Sequence, residues 1–122
     1  MQQSSLPESW DLDKVLDDLN ESGFAVIDNV YSAAFVNSLV NECNSHLAEF
    51  RAAGIQNGIV SHIRSDHILW IDEQLPIAQQ HINALKNLSQ LLNQAFYLGI
   101  KEVEAHFACY NAGEFYALHR DN

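Results

Sequence analysis

The sequence predicts an α+β domain, and three observations carry that expectation. Apolar residues recur at helical spacing in three separate segments. Short runs rich in β-branched and aromatic residues stand between or after them. No repeat, low-complexity tract or linker divides the 122 residues, of which 48% are hydrophobic, so one core of ordinary size is expected.

Taken in order, "WDLDKVLDDLNESG" sets Leu12, Val15, Leu16 and Leu19 on one helical face, with Gly23 as the closing cap. "FAVIDNV" then suits a strand from Phe24 to Val30. Ser32 can cap a second helix whose apolar stripe is Val36, Val40, Cys43, Leu47 and Phe50, stopped at Gly54. The glycine-containing stretch 54–66 reads as a loop with at most one short strand. "HILWI", residues 67–71, reads as a strand. Pro76 opens a long helix with Ala78, Ile82, Leu85, Leu88, Leu92 and Ala95 on one face, ended by Gly99. "VEAHFACY" alternates, sending Val103, Ala105, Phe107 and Cys109 one way and Glu104, His106, Ala108 and Tyr110 the other. "NAGEF" reads as a turn, and "YALHRDN" as the start of a further strand.

Sixteen acidic against six basic residues give a formal charge of -10, which disfavours nucleic acid and anionic membrane as partners. No apolar run approaches the roughly 20 residues a bilayer requires, and "MQQSSLPESWDLD" lacks the basic and apolar regions of a signal peptide. A cytoplasmic protein is expected. Cys43 and Cys109 show no metal or disulfide spacing and read as reduced thiols in a core.

Chemistry concentrates in "FYALHRDN". In an extended chain, residues i and i+2 share a face, so His119 and Asp121 point together while Arg120 points away. An imidazole and a carboxylate, joined by a second histidine, make the 2-His-1-carboxylate triad that holds Fe(II) with positions open for co-substrate and O2. Chance supplies an H-x-D pair often, and an exposed polar pair at a strand end explains these two residues as well.

The surrounding residues decide between these readings. "ACYNAGEFYALHRDN", residues 108–122, resembles the stretch around the first two metal ligands in the prolyl 4-hydroxylase branch of the 2-oxoglutarate and Fe(II)-dependent dioxygenases: a tyrosine, a glycine turn, an aromatic and a tyrosine, then H-x-D-N. "HIRSDHILWID", residues 62–72, resembles the I-R-x-D-x-x-x-W segment of the oxygen-sensing prolyl hydroxylases and their bacterial relatives. "GFAVIDNV" resembles the first strand of the family.

The resemblance implies N-terminal helices packed on the opening strands of a double-stranded β-helix, or jelly roll. It implies His119 and Asp121 as two iron ligands, Tyr110 as a donor to 2-oxoglutarate, and Tyr116 as a second aromatic of that pocket, although a strand tyrosine packing on a core looks the same. Arg64, Asp66 and Trp70 match positions near the active site and the peptide substrate; a surface ion pair and a core anchor are their bland alternatives. Fe(II), 2-oxoglutarate as co-substrate and ascorbate as auxiliary reductant are the implied cofactors, with O2 and a protein or peptide bearing a target proline as partners. The second histidine ligand and the basic residue for the far carboxylate of 2-oxoglutarate have no counterpart among these residues. The sequence is therefore expected to be the N-terminal portion of one such domain, with an incomplete jelly roll and no activity by itself. A non-catalytic β-helix interaction domain and a dioxygenase acting on another substrate are the competing expectations.

Overall fold

The structure, a computed structural model, describes residues 6–53 and 63–120. Three helices and a small antiparallel sheet make it up: α1 (Leu12–Ser22), α2 (Ala33–Ser45), β1 (Arg51–Ala52), β2 (His67–Trp70), α3 (Pro76–Phe96) and β3 (His106–Cys109), with 3-10 turns at Glu8–Trp10 and Leu47–Glu49. The mixed class read from the sequence is the one observed.

Local chemistry sets the helix ends. Asp11 caps α1 by accepting from the Lys14 amide, and Gly23 closes it at φ 81°, a left-handed position where a Cβ would be strained. Ser32 caps α2 by accepting from the Phe35 amide at 3.1 Å. The first turn of α3 is capped from another element: the two carboxylate oxygens of Glu42, on α2, accept from the amides of Ile77 and Ala78 at 2.8 Å each. This fork docks α2 on α3. At its other end α3 stops at Tyr97, with φ 56°, two residues before the expected Gly99. The Asn93 side chain then bonds both the amide and the carbonyl of Ile100 at 2.9 Å, taking the place of a backbone partner.

The α3 stripe lies as predicted, with Ala78 and Ile82 buried and Leu85, Leu88 and Leu92 half-buried, although Ala95 is exposed. The α2 stripe differs. Val36, Val40 and Leu47 are about half exposed, while Phe35, Leu39, Glu42 and Cys43 face inward. The polar Glu42 belongs to the inward face because it caps α3, and a purely apolar stripe misses it. Trp10, Tyr31, Phe35 and His81 form an aromatic cluster that fixes the N-terminal turn to α3, with the Tyr31 hydroxyl 2.7 Å from His81 Nδ1.

Phe24–Val30 is not a strand. Phe24 and Val26 are exposed, and Ala25 and Ile27 half-buried, so the alternation read from the sequence is present, but no ladder forms among the described residues. Alternation sets which side chains turn inward; a strand also needs a neighbouring backbone to bond.

The sheet order is β1-β2-β3. The register His67↔Cys109, Ile68↔Ala108, Leu69↔Phe107, Trp70↔His106 sorts the side chains into two faces. His67, Leu69, Phe107 and Cys109 occupy the half-buried face, where Cys109 lies close enough to Cys43 of α2 to act on its thiol electrostatically. Neither cysteine is in a disulfide, and both are half-buried and not enclosed in a core as the sequence suggested. Burial pushes the Cys43 thiol up. The opposite face carries Ile68, Trp70, His106 and Ala108, and leads toward the candidate site.

Candidate functional site

Past the ends of β2 and β3 the two motifs found in the sequence meet. The turn at 111–114 reverses the chain, closed by the Glu114 amide donating to the Asn111 carbonyl at 2.9 Å and by Glu114 Oε1 accepting from the Asn111 amide at 2.7 Å. Gly113 sits in it at φ 85°. The returning segment lies antiparallel to residues 63–65: the Ser65 amide donates to the Phe115 carbonyl at 2.8 Å, the Ala117 amide donates to the Ile63 carbonyl at 2.6 Å, and Arg64 pairs with Tyr116 in a β-bridge. Ser65 adds a second bond, its hydroxyl accepting from the Phe115 amide at 3.0 Å across fifty residues of sequence. The strand expected at "YALHRDN" is thus a single bridge among the described residues, too short to be a ladder.

Asp66 is the hub of this corner and has no exposed surface. Arg64 donates to it through Nε to Oδ1 at 2.8 Å and through Nη2 to Oδ2 at 2.7 Å, a bidentate pair. Residues i and i+2 of an extended chain share a face, which is why the two side chains meet. Tyr110 lies opposite Asp66 by continuation of the sheet register, near enough for its phenol to favour the charged carboxylate. The charge of Arg64 and these bonds hold the Asp66 carboxyl below its usual range, and the same carboxylate holds the Arg64 guanidinium above its own. The Tyr110 phenol is raised by desolvation and by the charge of Asp66. With both oxygens bonded, Asp66 is a structural carboxylate, and the surface ion pair expected as its bland alternative is replaced by a buried one.

The Arg64 guanidinium carbon lies 3.9 Å from the centre of the Tyr116 ring. The His119 imidazole stacks on the same ring with centroids 3.6 Å apart and planes parallel. His119 Nδ1 is 2.8 Å from the Ala117 carbonyl, which can only accept, so Nδ1 carries the proton. In the neutral ring the lone pair then sits on Nε2, the form a cation requires. Asp121 lies outside the described residues, as does His62. Among the described residues no group of three His, Cys, Asp or Glu is placed to hold a metal ion.

Five of the seven candidate residues, Arg64, Asp66, Tyr110, Tyr116 and His119, come together. Trp70 does not join them. It shares the sheet face of Asp66 but stands four residues along, about 13 Å at strand rise, where it is 45% exposed and meets His106 edge-on at 5.0 Å. It is not a core anchor. Sequence reading missed Ser65, whose double bond to Phe115 aligns the motifs; a serine between two charged residues carries no signal of that role.

No family model and no curated protein matches the chain. Among solved structures it is similar to the crystal structure of a Pseudomonas putida prolyl-4-hydroxylase, at 35% sequence identity and a TM-score of 0.83, over 91% of this chain. The chain spans 61% of the length of that structure. Over the length it spans, the chain is thus alike in fold and in sequence to a bacterial member of the prolyl 4-hydroxylase branch, which its two motifs resemble.

Proposed function

We propose that this chain is the N-terminal portion of a 2-oxoglutarate and Fe(II)-dependent dioxygenase that hydroxylates a prolyl residue in a protein or peptide. The observation that carries the reading is the bridge between Arg64 and Tyr116, which brings both family motifs to one corner beside His119. The donor chemistry fits a ferrous ion: an imidazole with its lone pair on Nε2 and, two residues on, the carboxylate of Asp121. Held by His119 and Asp121, Fe(II) with 2-oxoglutarate would supply O2 activation, the family's route to a hydroxylated product, succinate and CO2, with ascorbate as auxiliary reductant.

The chain's own residues prepare the site. The Ala117 carbonyl fixes the imidazole tautomer, and Tyr116 fixes the plane of the ring. Tyr110 faces the same corner, where its phenol has one proton to donate and the Asp66 carboxylate is close enough to raise its pKa. The second histidine, the basic residue for the far carboxylate and the closing strands of the jelly roll would come from chain beyond these residues.

The test is succinate formation from 2-oxoglutarate, with Fe(II), ascorbate and a proline-bearing peptide, by the protein of the complete reading frame that contains this chain. Peptide-stimulated turnover is expected, falling to background in Asp121→Ala. Equal turnover in the variant removes Asp121 from the metal site.

A further inference from the structure

We infer that Arg64, Asp66 and Tyr116 act as a positioning relay for the His119 imidazole, an inference that rests on the reading of His119 as a metal ligand. Two planar groups, one 3.9 Å and one 3.6 Å from the centre of the same ring, cannot share one face of it without overlapping. Guanidinium, phenol ring and imidazole therefore stack in that order. Each layer is tied down independently. The guanidinium is clamped by two bonds to a carboxylate that has no exposure to water. The backbone of Tyr116 bridges to Arg64, with Phe115 and Ala117 bonded on either side of it. The imidazole is held at its edge by the Ala117 carbonyl.

The geometry matters because the Nε2 lone pair lies in the plane of the imidazole, so the tilt of the ring decides where it is presented. His119 is exposed, and its neighbour Leu118 is wholly so. The stack supplies the order that burial does not. Arg64 suits this task where lysine would not: a planar guanidinium can bind a carboxylate with its edge and cover an aromatic ring with its face at once. The same residues that match substrate-proximal positions thus act here on the metal side, through Tyr116.

The experiment uses the protein of the complete reading frame and Mn(II) alone. Equilibrium Mn(II) affinity is compared for wild type, Arg64→Lys, Tyr116→Leu, Tyr116→Phe and His119→Ala, with proton NMR of the His119 ring as a second readout. The Tyr116 ring should move the His119 carbon-bound protons upfield in wild type and in Tyr116→Phe; the shift should vanish in Tyr116→Leu and shrink in Arg64→Lys. Mn(II) affinity should fall about 10- to 100-fold in Tyr116→Leu and Arg64→Lys, as for other groups that orient a metal ligand, and be retained in Tyr116→Phe. Tyr116 is only half-buried, so its variants keep the test open if Arg64→Lys does not fold. Wild-type affinity in both Tyr116→Leu and Arg64→Lys, with binding lost in His119→Ala, overturns the relay and leaves the metal site standing. Unchanged binding in His119→Ala overturns both.

Discussion

Asp66 keeps a negative charge where no water reaches it, because the two hydrogen bonds from Arg64 replace the solvent. Removing one member of such a pair leaves the other charge buried and uncompensated, so Asp66→Asn should cost about 3–5 kcal/mol in urea unfolding. The carboxyl is held below its usual range, so the folded state binds its proton less readily than the unfolded chain. Its stabilisation is complete above the unfolded value, about pH 4, and drains away as the pH falls toward the lower folded value. The urea midpoint of wild type should drop over that acid window, and the drop should be smaller in Asp66→Asn. At this scale the sequence was legible in part: I-R-x-D named the residues, and an ion pair between them was expected, though at the surface. Burial was not legible, because it depends on chain distant in sequence: Ala53, whose amide donates to the Asp66 carbonyl, and Tyr110, opposite Asp66 in the sheet register.

At the scale of elements, local signals placed what local signals control. Gly23, Ser32 and Pro76 mark helix ends by backbone conformation and capping, and all three act where the sequence set them. The inward face of α2 was misjudged because a carboxylate on it serves another helix. Glu42→Ala should therefore lower stability by about 1–2 kcal/mol in thermal or urea unfolding, the scale of a lost helix cap. Val36→Ser and Val40→Ser, in the stripe that the sequence favoured, should each change it by no more than about 0.5 kcal/mol. The segment Phe24–Val30 fails as a strand for a related reason: its composition is right, but a ladder is a property of two segments.

For the whole molecule, a formal net charge of -10 disfavours a polyanion as partner. Among the described residues no helix is long and apolar enough to cross a membrane. The likeness to a prolyl-4-hydroxylase extends over 91% of this chain and 61% of that one. The central claim is that His119 and Asp121 bind one metal ion. The visible spectrum of the Co(II)-loaded protein of the complete reading frame tests it most directly, since those bands report the ligands of the ion. The account predicts d–d bands in wild type that are lost or displaced in both His119→Ala and Asp121→Ala; identical spectra in all three proteins would contradict it.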